Sequence, residues 1–162
     1  KIMLMVNAGP IVDNVIEDLL PYLKKGDTLI DGGNSNYKDS KRRMDYLSGK
    51  QIHFLGAGVS GGEEGALTGP SIMPGGNAHA YPAIQPYLEA IAAKGEDGKP
   101  CCSYIGEEGS GHFVKMVHNG IEYVEMELLA EMYAILKALN KNTEEIASTF
   151  ESWKFYSNRC SW

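Results

Sequence analysis

Cysteine is scarce in this chain: three in 162 residues, two of them the neighbours Cys101 and Cys102. That usage supports neither a disulfide framework nor a metal-ligand spacing. A reducing, cytoplasmic setting is therefore expected, with no metal. Basic residues are also outnumbered, 15 Lys and Arg against 21 Asp and Glu, for a formal net charge of −6. This deficit argues against nucleic acid or an anionic membrane as the main partner, while a small anion needs only a local basic site. No apolar run approaches the length of a membrane span, and neither a membrane anchor nor a signal peptide is expected. Internal repeats and low-complexity segments are absent. What the chain has in excess is glycine, 19 residues, which points to close backbone approaches. The length suits one ordinary domain.

Strand and helix patterns alternate over the first two-thirds. Residues 2–6 read as a buried strand. Over residues 10–23, Val12, Ile16, Leu19, Leu20 and Leu23 recur at helical steps. Short strands follow at Thr28 to Ile30, Ile52 to Leu55 and Ser71 to Met73. Between them, Tyr37 to Leu47 reads as a polar helix, and Ala78 to Ala93 as a helix trimmed by Pro82 and Pro86. This order predicts an α/β layer with a parallel sheet covered by helices. A long helix from about Gly111 to Asn140 ends the alternation, and another starts near Asn142, where Thr143, Glu144 and Glu145 suit an N-terminal turn. The domain boundary is placed close to Gly109, giving segments 1–108 and 109–162. The chain opens directly into a core strand and closes on Trp153 to Trp162 without a clear period, so both ends are expected to be truncated or altered.

The long helix carries two faces. Phe113, Val117, Ile121, Val124, Leu128, Met132, Ile135 and Leu139 follow steps of three or four and are expected to be buried. Lys115 and Glu122 stand seven apart, two turns less about 20°, with His118 and Asn119 between them on the same face. An amine, an imidazole, an amide and a carboxylate thus share one stripe, and a base and an acid roughly 10 Å apart along the axis can both reach one small polyol. The plain alternatives are a solvated Lys–Glu face and a structural His118. The glycines weigh against them: Gly106, Gly109, Gly111 and Gly120 cost helix stability wherever close approach does not require them. Gly109 and Gly111 also flank Ser110 at the helix start, where exposed N–H groups favour an anion or a cofactor phosphate.

Gly56 to Gly61 formally fits G-x-G-x-x-G, the dinucleotide pyrophosphate loop. The fit is rejected. It follows the third strand instead of the first. Residues 62–70, with three glycines and a proline, make a poor helix, and Tyr81 stands where an acidic ribose ligand would be needed. The stretch reads better as a substrate cradle, with the Ser60 hydroxyl and the bare N–H groups of Gly61 and Gly62, or else as a tight turn. Asp31-Gly32-Gly33-Asn34-Ser35 occupies a second strand end, where open α/β sheets bind ligands.

Several segments together resemble the 6-phosphogluconate dehydrogenase (decarboxylating) family. They are Ile2-Met3-Leu4-Met5-Val6, Leu29 to Ser35, Gly58-Val59-Ser60-Gly61-Gly62-Glu63-Glu64-Gly65-Ala66, Met73-Pro74-Gly75-Gly76, Pro100-Cys101-Cys102 and Gly111 to Tyr123. They keep the family's order and cover residues 1 to about 153. The resemblance implies an incomplete dinucleotide-binding, Rossmann-like domain followed by the beginning of a helical domain. It implies oxidative decarboxylation of 6-phosphogluconate to ribulose 5-phosphate with reduction of NADP, or alternatively NAD, in the pentose phosphate pathway and gluconate utilization. Lys115 and Glu122 would be catalytic, and Ser60, Gly61, Gly62, His118, Asn119 and Tyr123 would bind substrate. Asn34 and Val6 would contact the cofactor, and the parent protein would be a homodimer.

Related β-hydroxyacid dehydrogenases share the spacing of Lys115 and Asn119, but simple oxidation needs no second acid such as Glu122. By the resemblance, the family's first strand and Gly-rich loop lie upstream of Lys1, Asn7 stands where lysine is frequent, and the last eight or so residues diverge. The 162-residue chain is accordingly expected to be inactive alone, and a non-catalytic truncated product is the reading of another class.

Overall fold

The computed structural model describes residues 1–157. Four strands form one sheet in the order β1 (Ile2–Leu4), β2 (Thr28–Asp31), β3 (His53–Ser60) and β4 (Ser71–Gly76). The first three are parallel, with Ile2 beside Leu29 and Leu29 beside Phe54. Successive strand residues point to opposite faces, and this sorts the core. Leu29 and Phe54 join Leu4, Val12, Ile16, Leu47 and Ile52 in one buried cluster. Their chain neighbours Ile30 and Leu55 join Ala57, Ile72, Ala80, Ile84, Leu88 and Ala92 in the other. Helices α1 (Pro10–Leu19) and α2 (Tyr37–Ser48) thereby serve the first cluster. A 3-10 segment, Ala78–Ala83, and α4 (Gln85–Ile91) serve the second. Pro86 sits in the first turn of α4, where the missing N–H is no loss, so the prolines divide the expected 78–93 helix in two.

The sheet is not wholly parallel. β4 runs antiparallel to β3, with Ser60 opposite Ser71 and Gly58 opposite Met73. Only residues 61–70 connect them, and a parallel crossover needs a dozen or more. That connection holds α3 (Gly62–Thr68), a helix in a stretch whose composition argued against one. Its glycines lie mainly at the ends: Gly61 caps the start and Gly69, at φ +125°, the end. β3 also continues through Gly56 and Gly58 to Ser60 instead of stopping at Leu55. Pairing to β2 and β4 supplies what glycine's strand propensity lacks, and the apparent G-x-G fingerprint lies inside this strand.

The chain forms two compact units, Lys1–His118 and the residues from Asn119 onward. Helix α5 (Ser110–Ala138) contributes to both. In the second unit α6 (Thr143–Ser157) begins with a capping box: Asn142 Oδ1 accepts from the Glu145 N–H at 2.9 Å, and Glu145 Oε2 accepts from the Asn142 N–H at 3.0 Å. Ile146 is buried. The apolar stripe of α5 is not the buried face its period predicts. Phe113, Val117, Ile121, Val124, Leu128, Ile135 and Leu139 are 44–66% exposed, and Met132 is half-buried. A 3.6-residue period marks an apolar face without naming the element that covers it. The irregular end of the sequence, 158–162, lies outside the described residues.

Candidate active site

The turn after β2 is built from a buried carboxylate. Asp31 accepts from the Gly33 N–H at 3.0 Å and from the Ser35 hydroxyl at 2.7 Å. The Arg43 guanidinium of α2, 1% exposed, stands behind it, with Nη1 3.5 Å from Asp31 Oδ2 and 3.3 Å from Ser35 Oγ. The same side chain donates to both Asp13 oxygens, at 2.9 and 3.0 Å, and to the Gly9 carbonyl at 2.9 Å. Hydrogen bonding from Arg43 holds the Asp13 carboxyl down to about 2, against the opposing effect of burial. A fork donor suits this planar recognition, which lysine would not reproduce. The network fixes the turn, and the turn leaves Asn34 exposed.

Asn34, Ser60, Gly61 and Gly62 line one cavity of about 750 Å³, with Met3 and Met5 on its apolar wall. Gly61 and Gly62 take φ of +140° and +58°, which few other residues adopt. Val6, expected at the cofactor, does not line this cavity, whereas Met5 does. The Val6 carbonyl instead backs Gly33, 2.7 Å from where a Cβ would stand.

Helix α5 enters across β3 and β4 on glycines. A Cβ at Gly58 would lie 2.6 Å from Lys115 Cβ, so the half-buried Lys115 stem rests on the strand two residues before Ser60. One turn further along, His118 Nε2 lies 3.5 Å from Ser60 Oγ, the outer limit of a hydrogen bond. A Cβ at Gly111 would strike the carbonyl oxygens of Gly56 and Met73, and one at Gly75 would strike the Gly111 nitrogen. Gly109 and Gly111 are buried. Both allow the close backbone packing of the helix start against its neighbours.

The first unit therefore gathers Lys115, His118, Ser60, Gly61, Gly62 and Asn34. Within the second unit, Asn119 is half-buried and Glu122 and Tyr123 are exposed on α5. Sequence reasoning placed Asp31 in a ligand-binding strand end without its role as the buried anchor of the turn, and it missed Arg43 and His112. An acidic residue closing an apolar strand was the available signal for Asp31; nothing in the helical period marks Arg43 or His112. His112 is 1% exposed. Burial pushes its pKa down, against the pull of Asp31. Elsewhere, burial raises the Cys102 thiol and drives Tyr81 up to about 12, so neither is primed for chemistry at neutral pH. Among the described residues no His, Cys, Asp and Glu cluster could hold a metal, and no helix is long and apolar enough to cross a membrane.

A mostly parallel α/β layer with a cavity at its strand ends defines a nucleotide-binding module of Rossmann type. Residues 1–106 match the NAD binding domain of 6-phosphogluconate dehydrogenase, and residues 111–160 match the 6-phosphogluconate dehydrogenase C-terminal domain. The chain belongs to the 6-phosphogluconate dehydrogenase family. It is 58% identical over 155 residues to the decarboxylating 6-phosphogluconate dehydrogenase of Haemophilus influenzae, covering 95% of this chain and 32% of that protein. To the Treponema pallidum enzyme of the same name it is 58% identical, over 94% of this chain and 32% of the relative. Among solved structures it resembles the Plasmodium falciparum 6-phosphogluconate dehydrogenase, studied with NADP+ and with 6-phosphogluconate. The TM-score is 0.87 at 44% identity, covering 93% of this chain and 32% of that one. The chain thus spans about a third of the length of these relatives.

Proposed function

We propose that this chain is the substrate-facing part of an NADP-dependent, decarboxylating 6-phosphogluconate dehydrogenase, residues 1–108 belonging to the dinucleotide-binding domain and 109–162 to a helical domain. The observation that carries the reading is the Lys115 stem on Gly58, beside the Ser60–His118 contact and the cavity shared with Asn34. The cavity fits a nicotinamide: the methionine wall offers an apolar face, and Asn34 a carboxamide at the rim. NADP, when bound, supplies the hydride acceptor.

The residues divide the remaining work. Lys115 accepts the proton of the substrate 3-hydroxyl, then returns one toward the carbonyl oxygen as CO₂ departs. Glu122 protonates C1 of the enediol to give ribulose 5-phosphate. Ser60, Gly61 and Gly62 hold the carboxylate end, His118 and Asn119 bind hydroxyls, and Tyr123 grips the phosphate. Asn34, with the backbone near Val6, faces the cofactor. The whole protein works as a cytoplasmic homodimer in the pentose phosphate pathway and gluconate utilization. The test is an assay of the full-length protein with 6-phosphogluconate and NADP, following reduced cofactor and CO₂. Stoichiometric release of both is expected. Cofactor reduction without CO₂, or no reduction at all, overturns the reading.

A further inference from the structure

One buried imidazole joins the three segments that carry the proposed site. His112 lies in the first turn of α5, one turn before Lys115. Its ring covers Gly56 of β3 so closely that a Cβ there would stand 2.7 Å from Nδ1. Nδ1 lies 2.6 Å from Ser40 Oγ of α2, and that hydroxyl also reaches the carbonyl of Asn36, the N-cap of α2, at 3.2 Å. The charges of Asp31 and Arg43 act on the same ring. Its Nε2 is buried and makes no hydrogen bond. A buried polar nitrogen without a partner costs stability, and an apolar side chain of similar size would fill the space without that cost. Packing alone therefore does not account for a histidine here.

We propose that His112 is a positioning residue for the reaction: it ties the first turn of α5 to β3 and to the start of α2, next to the Asn34 turn, and so sets where Lys115 stands relative to Ser60 and Asn34. The proposal rests on the reading of Lys115 as the proton-transfer group. Displacing that amine by about 1 Å costs turnover on the order of 10²-fold.

The test uses His112→Leu and His112→Asn, the second keeping a donor near the Nδ1 position. In the full-length protein, His112→Leu should lower kcat by roughly 10- to 100-fold with little change in KM, and His112→Asn should recover part of the loss. In the 162-residue chain, the NMR titration of the Lys115 side chain should shift in the leucine variant and shift less in the asparagine variant. Wild-type kcat in a folded His112→Leu protein overturns the proposal. So does a lowered kcat with an unmoved Lys115 signal. If the leucine variant does not fold, Ser40→Ala, which keeps the ring and removes its anchor, is read by the same two measurements; no change in either overturns the proposal. If the wild-type protein does not turn over 6-phosphogluconate, the functional reading falls, and the Lys115 signal still decides the role of His112.

Discussion

Arg43 and Asp31 lie 3.5 Å apart in the interior, 1% and 0% exposed, behind the turn that presents Asn34. Removing one partner of a buried pair leaves the other charge uncompensated, which typically costs about 3–5 kcal/mol. Arg43→Met and Asp31→Asn should each lower the unfolding free energy of the 162-residue chain by that order. Urea denaturation followed by circular dichroism measures it. A loss below about 1 kcal/mol, the worth of an exposed pair, would assign the turn's rigidity to the Asp31 hydrogen bonds alone.

Asp13 gives a dependence on pH. Its folded-state pKa of about 2 lies below the ordinary 3.8. The unfolded chain therefore takes up the proton first, and the contribution to stability is complete above about 3.8 and is lost as pH falls toward about 2. Denaturation midpoints recorded from pH 5 to 2 should fall less steeply in Asp13→Asn than in the wild-type chain. Parallel curves would show that Arg43 and Arg42 do not hold the carboxylate.

Two glycines of α5 should respond to alanine with opposite signs. At Gly111 a Cβ meets two backbone carbonyl oxygens that cannot move independently, so Gly111→Ala should destabilise by about 1–3 kcal/mol or more. At Gly120 a Cβ meets nothing within 4 Å, and Gly120→Ala should stabilise by about 0.5–1 kcal/mol through helix propensity. Equal effects at the two sites would refute the close approach of α5 to the sheet.

In the full-length protein, Lys115→Met and Glu122→Gln should fail at different steps. Loss of a positioned acid or base costs about 10²–10⁴-fold. The lysine variant should form almost no reduced cofactor. The glutamine variant should form it in a single turnover and then release ribulose 5-phosphate slowly. An equal block of the first reduced-cofactor signal would reduce Glu122 to a residue that holds Lys115 or the substrate in place.

The sequence made the alternation of elements legible because strand residues such as Leu29–Ile30 and Phe54–Leu55 are apolar on both faces of the sheet. It hid the second half of β3, where Gly56 and Gly58 erase the apolar pattern while the ladder to β4 supplies the pairing. The reversal of β4 follows from a connection length, which becomes readable only once Ser60 is known to end the strand. Of the candidate site, Lys115 and His118 were visible through their spacing on one helix face, and Ser60 through the glycines beside it after a strand. The supports behind them were not, since Arg43 reads as one more cation on a polar helix. Its burial comes from pairing with Asp13 and Asp31, 30 and 12 positions away.

Gly56, Gly75 and Gly111 touch backbone to backbone across three distant stretches of the chain. As units of variation they are tied together, because a side chain gained at Gly75 or Gly111 strikes the backbone of the crossing, and one gained at Gly56 strikes the His112 ring that α5 lays over it. Substitutions that are harmless in isolation elsewhere become mutually dependent at this crossing. A helix transplanted here from a distant relative would seat only if the strands came with it.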